Sequence, residues 1–550
     1  MTVPDALKQQ IMAEGQAKVG AVAEAKADDL LPAFAAALKY ITVEAPALIA
    51  AAQLEKVDGV YQIANAYNLA SFAAIVNGGE NEADAVVTAD IDLAEAITGD
   101  AWTSIGTNAV PYKGTFDGQG YTIKNITYTA TGQYNGLFGK LSTGATVKNF
   151  TAEGTMTVST GVTGRAVALI AAAGDGGVLI QNINSKMNYN NQLAGAQVGG
   201  VLGGALNGNT TVVDRCTYSG TLDGNDAGGS GNYGGLVGYA NNNDACYLTI
   251  SNCLFDGKLV NSAATPGNCT FGGMIGYSNG AHVTIQNVLS IGTVQSAIAA
   301  QFFGAVKSTR STIHNSYYKG DVVNGSASTV TLNPCEATKV TDEELASGFV
   351  AAKLAPAFRQ TLGTDAYPVL DDTKALVAEI TDAGYATLFV EDVDLTVPEG
   401  VEAFAGVVDG KYLKLNAIEG AVAAGEPVVL KGAAGFYGFV PTTGATKATA
   451  NDLMGAAEDV EAAGNYILAK PEGEPVGFYR ASAGTIKAGK AYLGVAAPGV
   501  KAFLFDEDGA TGINAVEKAT ENGPIYNIAG QRLNKMQKGI NIVNGKKVLF

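Results

Sequence analysis

Between Gly136 and Val322 short apolar pairs and small residues return at a nearly fixed interval, and that spacing predicts an architecture before any single residue is weighed. Each unit opens on an apolar pair held between glycines: Gly136-Leu137-Phe138-Gly139, Gly200-Val201-Leu202-Gly203, Gly235-Leu236-Val237-Gly238 and Gly273-Met274-Ile275-Gly276. Looser copies stand at Leu169-Ile170-Ala171 and Phe302-Phe303-Gly304. Each unit continues with a β-branched residue, a spacer and usually Asn, as in Val147-Lys148-Asn149, Ile180-Gln181-Asn182, Ile250-Ser251-Asn252, Ile285-Gln286-Asn287 and Ile313-His314-Asn315. Val213-Asp214-Arg215 breaks the Asn rule. The closing small residues at 139, 171, 203, 238, 276 and 304 are 32, 32, 35, 38 and 28 apart.

Five residues after the Asn position comes Gly154, Gly220, Gly257, Gly292 or Gly320, and two later Met156, Leu222, Leu259, Val294 or Val322. Short β-rich stretches separated by Gly and Asn read as strands meeting sharp corners, because both residues tolerate positive φ. When such turns stack, like residues form columns about 4.8 Å apart. A helical solenoid needs stretches of 3.6 periodicity that the Gly, Asn and Thr of 131–330 deny it. The expected fold class is mainly β: a right-handed parallel β-helix over 56–330 with an N-terminal cap, after a helical lead-in at 1–55. Asn149, Asn182, Asn252, Asn287 and Asn315 are expected to form a structural ladder of interior amides, with Arg215 its weak rung.

Downstream the texture changes. Periodicity ends in a closing segment at 331–372, where Thr341 followed by Asp342, Glu343 and Glu344 has helix-start chemistry. Alternating strands with Pro and Gly turns over 373–510 predict an antiparallel β-sandwich. The end, 511–550, reads as a small β module of three short strands. Near the start, Tyr67 to Asn77 reads as a short amphipathic helix suited to cap an exposed first rung.

The net charge of −17 argues against nucleic acid or anionic lipid as partner, and Gly 70 with charged residues at 16% suits an extracellular β-rich chain. No run of eighteen uninterrupted apolar residues occurs, so no transmembrane segment is expected. Met1 to Asp5 lacks the basic start of a secretory signal, which leaves a removed signal or a cytosolic protein. Cys216, Cys246, Cys253, Cys269 and Cys335 show no metal-ligand spacing; Cys216 and Cys253 share a repeat position and read as small buried hydrophobes before they read as a disulfide.

The Gly-Leu-Phe-Gly and Gly-Leu-Val-Gly copies, with Trp102-Thr103-Ser104-Ile105-Gly106 and Gly114-Thr115-Phe116-Asp117-Gly118-Gln119-Gly120-Tyr121-Thr122-Ile123-Lys124-Asn125 before them, resemble the GLUG-repeat surface proteins of bacteria. Gln360 to Leu370 is similar to the segment that commonly closes such repeats, and the stretch from Ile525-Tyr526-Asn527 to Gly545-Lys546-Lys547-Val548 resembles terminal modules of proteins exported by the type IX pathway. The resemblance implies an exported, secreted or surface-attached protein of adhesin-like character, favours removal of a signal, and brings no catalytic residues.

His282 and His314 fall at different repeat positions, and no His-Glu-x-x-His or Gly-x-Ser-x-Gly pattern occurs, so no metal, cofactor or His-dependent triad is expected. Asp506-Glu507-Asp508-Gly509 lacks the distal Glu of a calcium loop. Asp214, Asp223, Asp226, Asp244 and Asp256 fall in turns, where turn chemistry explains them without catalysis. Two aromatic columns are the candidates for ligand binding: Tyr239 with Tyr277, and Tyr218 with Phe255 and Tyr318. Exposed rings suit sugar, and buried ones are core stacking, the reading favoured for the second set. The sequence thus supports a non-catalytic, adhesin-like protein binding glycan or host protein. The alternative is a carbohydrate-active enzyme, a polysaccharide lyase or glycoside hydrolase using carboxylates on the same face, and a structural spacer is the third reading.

Overall fold

The computed structural model describes residues 5–25, 30–45, 48–49, 52–95, 102–130, 134–158, 166–191, 196–206, 208, 210–225, 231–241, 244–264, 268–296, 299–326, 328–494, 499–505, 525–527, 531–538, 540–543 and 546–549. They fall into two compact units, Met1–Val377 and Ala378–Phe550.

In the first unit successive turns of the chain pair like against like. Val147, Ile180, Val213, Ile250, Ile285 and Ile313 lie opposite one another on parallel strands, and all six side chains are buried. The file runs back through Phe116 and Ala85 to Tyr61 and forward to Cys335. Ten residues in one file make nine steps of about 4.8 Å, a ladder about 40 Å long. A second parallel sheet stacks Phe138, Ala171, Leu202, Val237, Ile275 and Phe303, the apolar residues inside the glycine brackets. A third stacks Val198, Tyr233, Phe271 and Ala299. Their inward side chains form one continuous apolar core.

The glycine brackets have a packing cause. A Cβ on Gly200 would sit 2.4 Å from the Tyr218 ring, and one on Gly235 2.6 Å from the Phe255 ring and 2.2 Å from the Gly273 carbonyl oxygen. Positive φ belongs elsewhere, to Asn149, Asn182, Arg215, Asn252, Asn287 and Asn315, with values from 37° to 61°. Gly220, Gly257 and Gly292 are there because a Cβ on each would come within 1.9 to 2.6 Å of a carbonyl on the turn before, so close stacking and not left-handed backbone selects them.

The expected fold class is corrected in five places. The ladder begins on an antiparallel pair, Glu55–Val57 with Val60–Ile63, so its first edge is a short charged strand. Among the described residues the strands of the second sheet begin at Phe138–Leu141, preceded only by the isolated bridges of Ile105 to Phe138 and Tyr112 to Leu141, and those of the third at Ala166–Ala168, so a uniform right-handed parallel β-helix over 56–330 does not describe the chain. In the early turns the helix Ala66–Asn77 fills the opposite side: it buries Leu69, Phe72 and Val76, and Phe72 lies 5.7 Å from Tyr61 and 6.0 Å from Tyr112. It is a core element and not a cap over the edge. The second unit is not a plain antiparallel sandwich, since its nine-stranded sheet is mixed, with Tyr412–Ile418 running parallel to Ala502–Phe505. The end module has four strands and not three: Arg532–Leu533, Ile525–Asn527, Ile540–Val543 and Lys546–Leu549.

Asp5–Glu24 and Leu30–Lys39 are helices, as the lead-in composition predicts. The closing segment adds the strand Cys335–Lys339 to the end of the ladder, then the helices Asp342–Ala346 and Phe349–Lys353. Thr341 and Glu344 cap the first of these reciprocally, the expected start signal.

Gly235→Ala is expected to lower unfolding stability by about 1–3 kcal/mol, because its new methyl meets a fixed ring and a fixed carbonyl at once. Urea titration measures it, and an unchanged midpoint would show that the ring column gives way.

Candidate functional site

The flank of the ladder next to the Asn corners carries a network of polar side chains. Five amides donate to the turn before them: Asn125 Nδ2 to Asp92 Oδ1 at 2.7 Å, Asn149 Nδ2 to Asp117 Oδ1 at 3.0 Å, Asn182 Nδ2 to Asn149 Oδ1 at 3.0 Å, Asn252 Nδ2 to Asp214 Oδ1 at 2.8 Å, and Asn315 Nδ2 to Asn287 Oδ1 at 2.9 Å. These amides are not interior: Asn182 is exposed, and Asn149, Asn252, Asn287 and Asn315 are half-buried. The ladder is therefore a row of surface clasps that hold left-handed corners, broken into short runs.

Arg215 keeps the left-handed backbone of the Asn it replaces, at φ 50°. Its side chain turns to the closing segment, where Nη2 donates to Asp372 Oδ2 at 2.8 Å and Nη1 to the Ala357 carbonyl at 3.4 Å. Asp372 Oδ1 also stands 3.3 Å from Nε of Arg359, which is buried. One carboxylate thus sits between two guanidiniums that repel each other, and burial lowers the pKa of Arg359 from its ordinary value. The expected weak rung is a docking point.

A second fastening lies nearby in sequence. The Tyr367 hydroxyl donates to Asp256 Oδ2 at 3.1 Å, while Asp256 Oδ1 is buried without a partner. Burial pushes the Asp256 carboxyl up from its usual value, and burial with the facing carboxylate pushes the Tyr367 hydroxyl up to about 12. Asn315 Nδ2 adds a bond to the Lys353 carbonyl at 3.2 Å. Beneath these bonds Leu254, Leu289 and Tyr317 of the ladder pack against Val340, Leu345, Leu354 and Phe358 of the closing segment. None of Arg359, Tyr367 and Asp372 stands out in the sequence; the one signal was the missing Asn at 215.

The other candidate groups are spoken for. Asp214 accepts from Gln181 Nε2 at 3.0 Å, Ser251 Oγ at 2.7 Å and Asn252 Nδ2 at 2.8 Å, which leaves it a hub of the flank and not a free base. Asp223 accepts from the backbone N–H of Asn225 and of Ser262, and Asp244 pairs with Arg310. Asp226 and the 506–509 stretch lie outside the described residues. His282 stacks on Tyr247 at 4.5 Å, and His314 Nδ1 stands 3.7 Å from Glu336. All five cysteines are free, with Cys216 and Cys253 buried on adjacent turns. Among the described residues no cluster of His, Cys, Asp and Glu could hold a metal ion.

The two aromatic sets part company. Tyr218, Phe255 and Tyr318 are buried, with Tyr218 and Phe255 stacked at 6.4 Å and 7°, so they are core and not a ligand face. Ser290 completes their file between Phe255 and Tyr318. Tyr239 and Tyr277 point outward and are half-buried, with ring centroids 5.7 Å apart.

No family model matches the chain, and no curated protein matches it. The resemblance to GLUG-repeat surface proteins is accordingly corrected: the motifs are present as packing devices, and they do not make the chain a member of that family. Solved structures that match include a crystal structure titled as that of "a putative immunoglobulin A1 protease" from Bacteroides ovatus. It is 20% identical, with a TM-score of 0.41, over 57% of this chain and 93% of that one. An overlap at that level fixes neither fold nor activity. The adhesin-like reading falls with the family and with the burial of Tyr218, Phe255 and Tyr318. No described helix is long and apolar enough to cross a membrane.

Arg215→Asn restores the repeat rule and should nonetheless destabilise the first unit by about 1–3 kcal/mol, since it removes the bonds to Asp372 and to the Ala357 carbonyl that fasten the closing segment. Limited proteolysis within 340–372 should quicken in step; a stabilised variant would show that the Asn rule outweighs the clamp. A carboxyl raised in the folded state contributes stability that is complete below its unfolded pKa, about 3.9, and is lost as pH rises through the folded value. Asp256→Asn should therefore flatten the fall in melting temperature just above the usual carboxylate range, and an identical pH profile in both proteins would contradict the assignment.

Proposed function

We propose that the first unit is a non-catalytic structural spacer, a stiff element that works by holding its length. The supporting observation is how the polar groups of its flank are spent: the amides, Asp214, Asp223 and Asp244 all bond to neighbouring turns or loops. A ladder about 40 Å long with one apolar core and clasped corners resists bending, because each rung is fixed by backbone bonds on both sides. Its low charge content and glycine richness fit work outside the cell.

One observation favours the second reading, cleavage of a polysaccharide. Asp256 is a carboxyl whose pKa is raised by burial, beside a tyrosine hydroxyl, and the shift is in the direction wanted of a general acid. Against it, the pair is a fastening between the ladder and the closing segment, where each group holds the other in place.

Incubating the full chain with pectin, xylan and β-glucan, and separately with casein, separates these. The spacer releases no reducing ends and no new amino termini. Release of reducing ends by the wild type that disappears in Asp256→Asn would replace the spacer with an enzyme, and new amino termini from casein would overturn both.

A further inference from the structure

One outward file of the second sheet reads Lys140, Ala173, Gly204, Tyr239, Tyr277 and Ala305 on successive turns. The two tyrosines have Gly204 before them and Ala305 after them, so their rings stand above a floor of small residues. The rings are tilted 42° to each other at 5.7 Å, which forms a shallow two-faced platform. Their hydroxyls are fixed by one side chain: the Tyr277 hydroxyl donates to Asn279 Oδ1 at 3.0 Å, and Asn279 Nδ2 donates to the Tyr239 hydroxyl at 2.9 Å. Tyr239 accepts in that chain, so its own proton points to no partner within it. The Lys307 ammonium lies over the Tyr277 ring, 5.4 Å from its centroid.

From this arrangement we infer that Tyr239 and Tyr277 form a binding platform for a neutral polysaccharide, each ring taking one face of a pyranose unit. Three features carry the inference. An aromatic ring offers a flat apolar face and, in tyrosine, a polar tip, which matches a sugar with C–H bonds on its face and hydroxyls on its rim. The clasp through Asn279 fixes both rings before a ligand arrives, so little side-chain entropy remains to be lost on binding. The spacing of one turn to the next is close to the length of one hexose in an extended chain, so neighbouring rings meet neighbouring sugars. The net charge of −17 disfavours an acidic polymer, which is why a neutral one is named. This platform is independent of the spacer reading, since a spacer without it and an enzyme with it are both coherent.

Affinity gel electrophoresis of the full chain through xylan, hydroxyethylcellulose and galactomannan tests it. At least one polymer should retard the protein, Tyr277→Ala should weaken that retardation about tenfold, and Tyr277→Phe should keep most of it. Both rings lie outside the apolar core, so the melting temperature of Tyr277→Ala should match the wild type; Tyr239→Ala, on the neighbouring turn, gives the same reading if the first variant folds poorly. No retardation in any of the three gels overturns the platform, and so does equal retardation of both alanine variants and the wild type.

Discussion

Parallel in-register pairing puts every residue of the first unit against its own counterpart on the next turn, and that single constraint decides which side chains each position can hold. A file of Val and Ile satisfies it without cost, because branched apolar groups pack on themselves. A file of Asp could not, since carboxylates carry only acceptors and repel at one-rung spacing. Asn meets the demand because its amide both donates and accepts, and it also tolerates the left-handed corner. The observed bonds therefore all run one way, from the later turn to the earlier. Aspartate enters only where it ends a run, at Asp92, Asp117 and Asp214, each one residue before the Asn position.

The same constraint explains the glycine brackets. A ring column at Tyr218 and Phe255 takes up volume that must be given back across the turn, and Gly200, Gly235 and Gly273 give it back. Where the file has serine in place of a ring, the hydroxyl bonds across the gap: Ser185 Oγ to the Gly200 carbonyl and Ser290 Oγ to the Gln301 carbonyl, both at 2.8 Å. Ring, glycine and serine are thus one packing problem with two solutions. Tyr218 carries a cost of its own, a buried hydroxyl without a partner, which Phe255 on the next turn avoids.

What the sequence made legible follows from this. The inward file from Val147 to Ile313, the corner positions and the capped helix after Thr341 could all be read, because each is a local pattern repeated or a local chemistry with one outcome. The early turns were misread because a helix supplies what strands supply later, and a single amphipathic helix does not reveal which surface it will cover. The depth of the Asn row was misread for a related reason: periodicity shows that residues share a column, but not how far that column lies from water. The spacer position is not idle either: Ser251 Oγ and Asn252 Nδ2 share one oxygen of Asp214, so neighbouring residues carry the same fastening.

The closing segment could not be read from either side alone. Its partners are 142 and 157 residues away from Arg215 in the chain, and 111 residues separate Asp256 from Tyr367. Yet the place where it docks was marked in the repeat. A column that clasps itself at every turn can spare at most a second amide N–H, as Asn315 does toward the Lys353 carbonyl, so a charged anchor for an attached segment needs a position released from that duty. Arg215 is such a position: its backbone keeps the corner, Asp214 beside it takes over the clasp from Asn252, and the guanidinium is freed to reach Asp372. The departure from the repeat is thus where the ladder exchanges internal bonding for attachment, and it is the repeat's regularity that makes the departure visible.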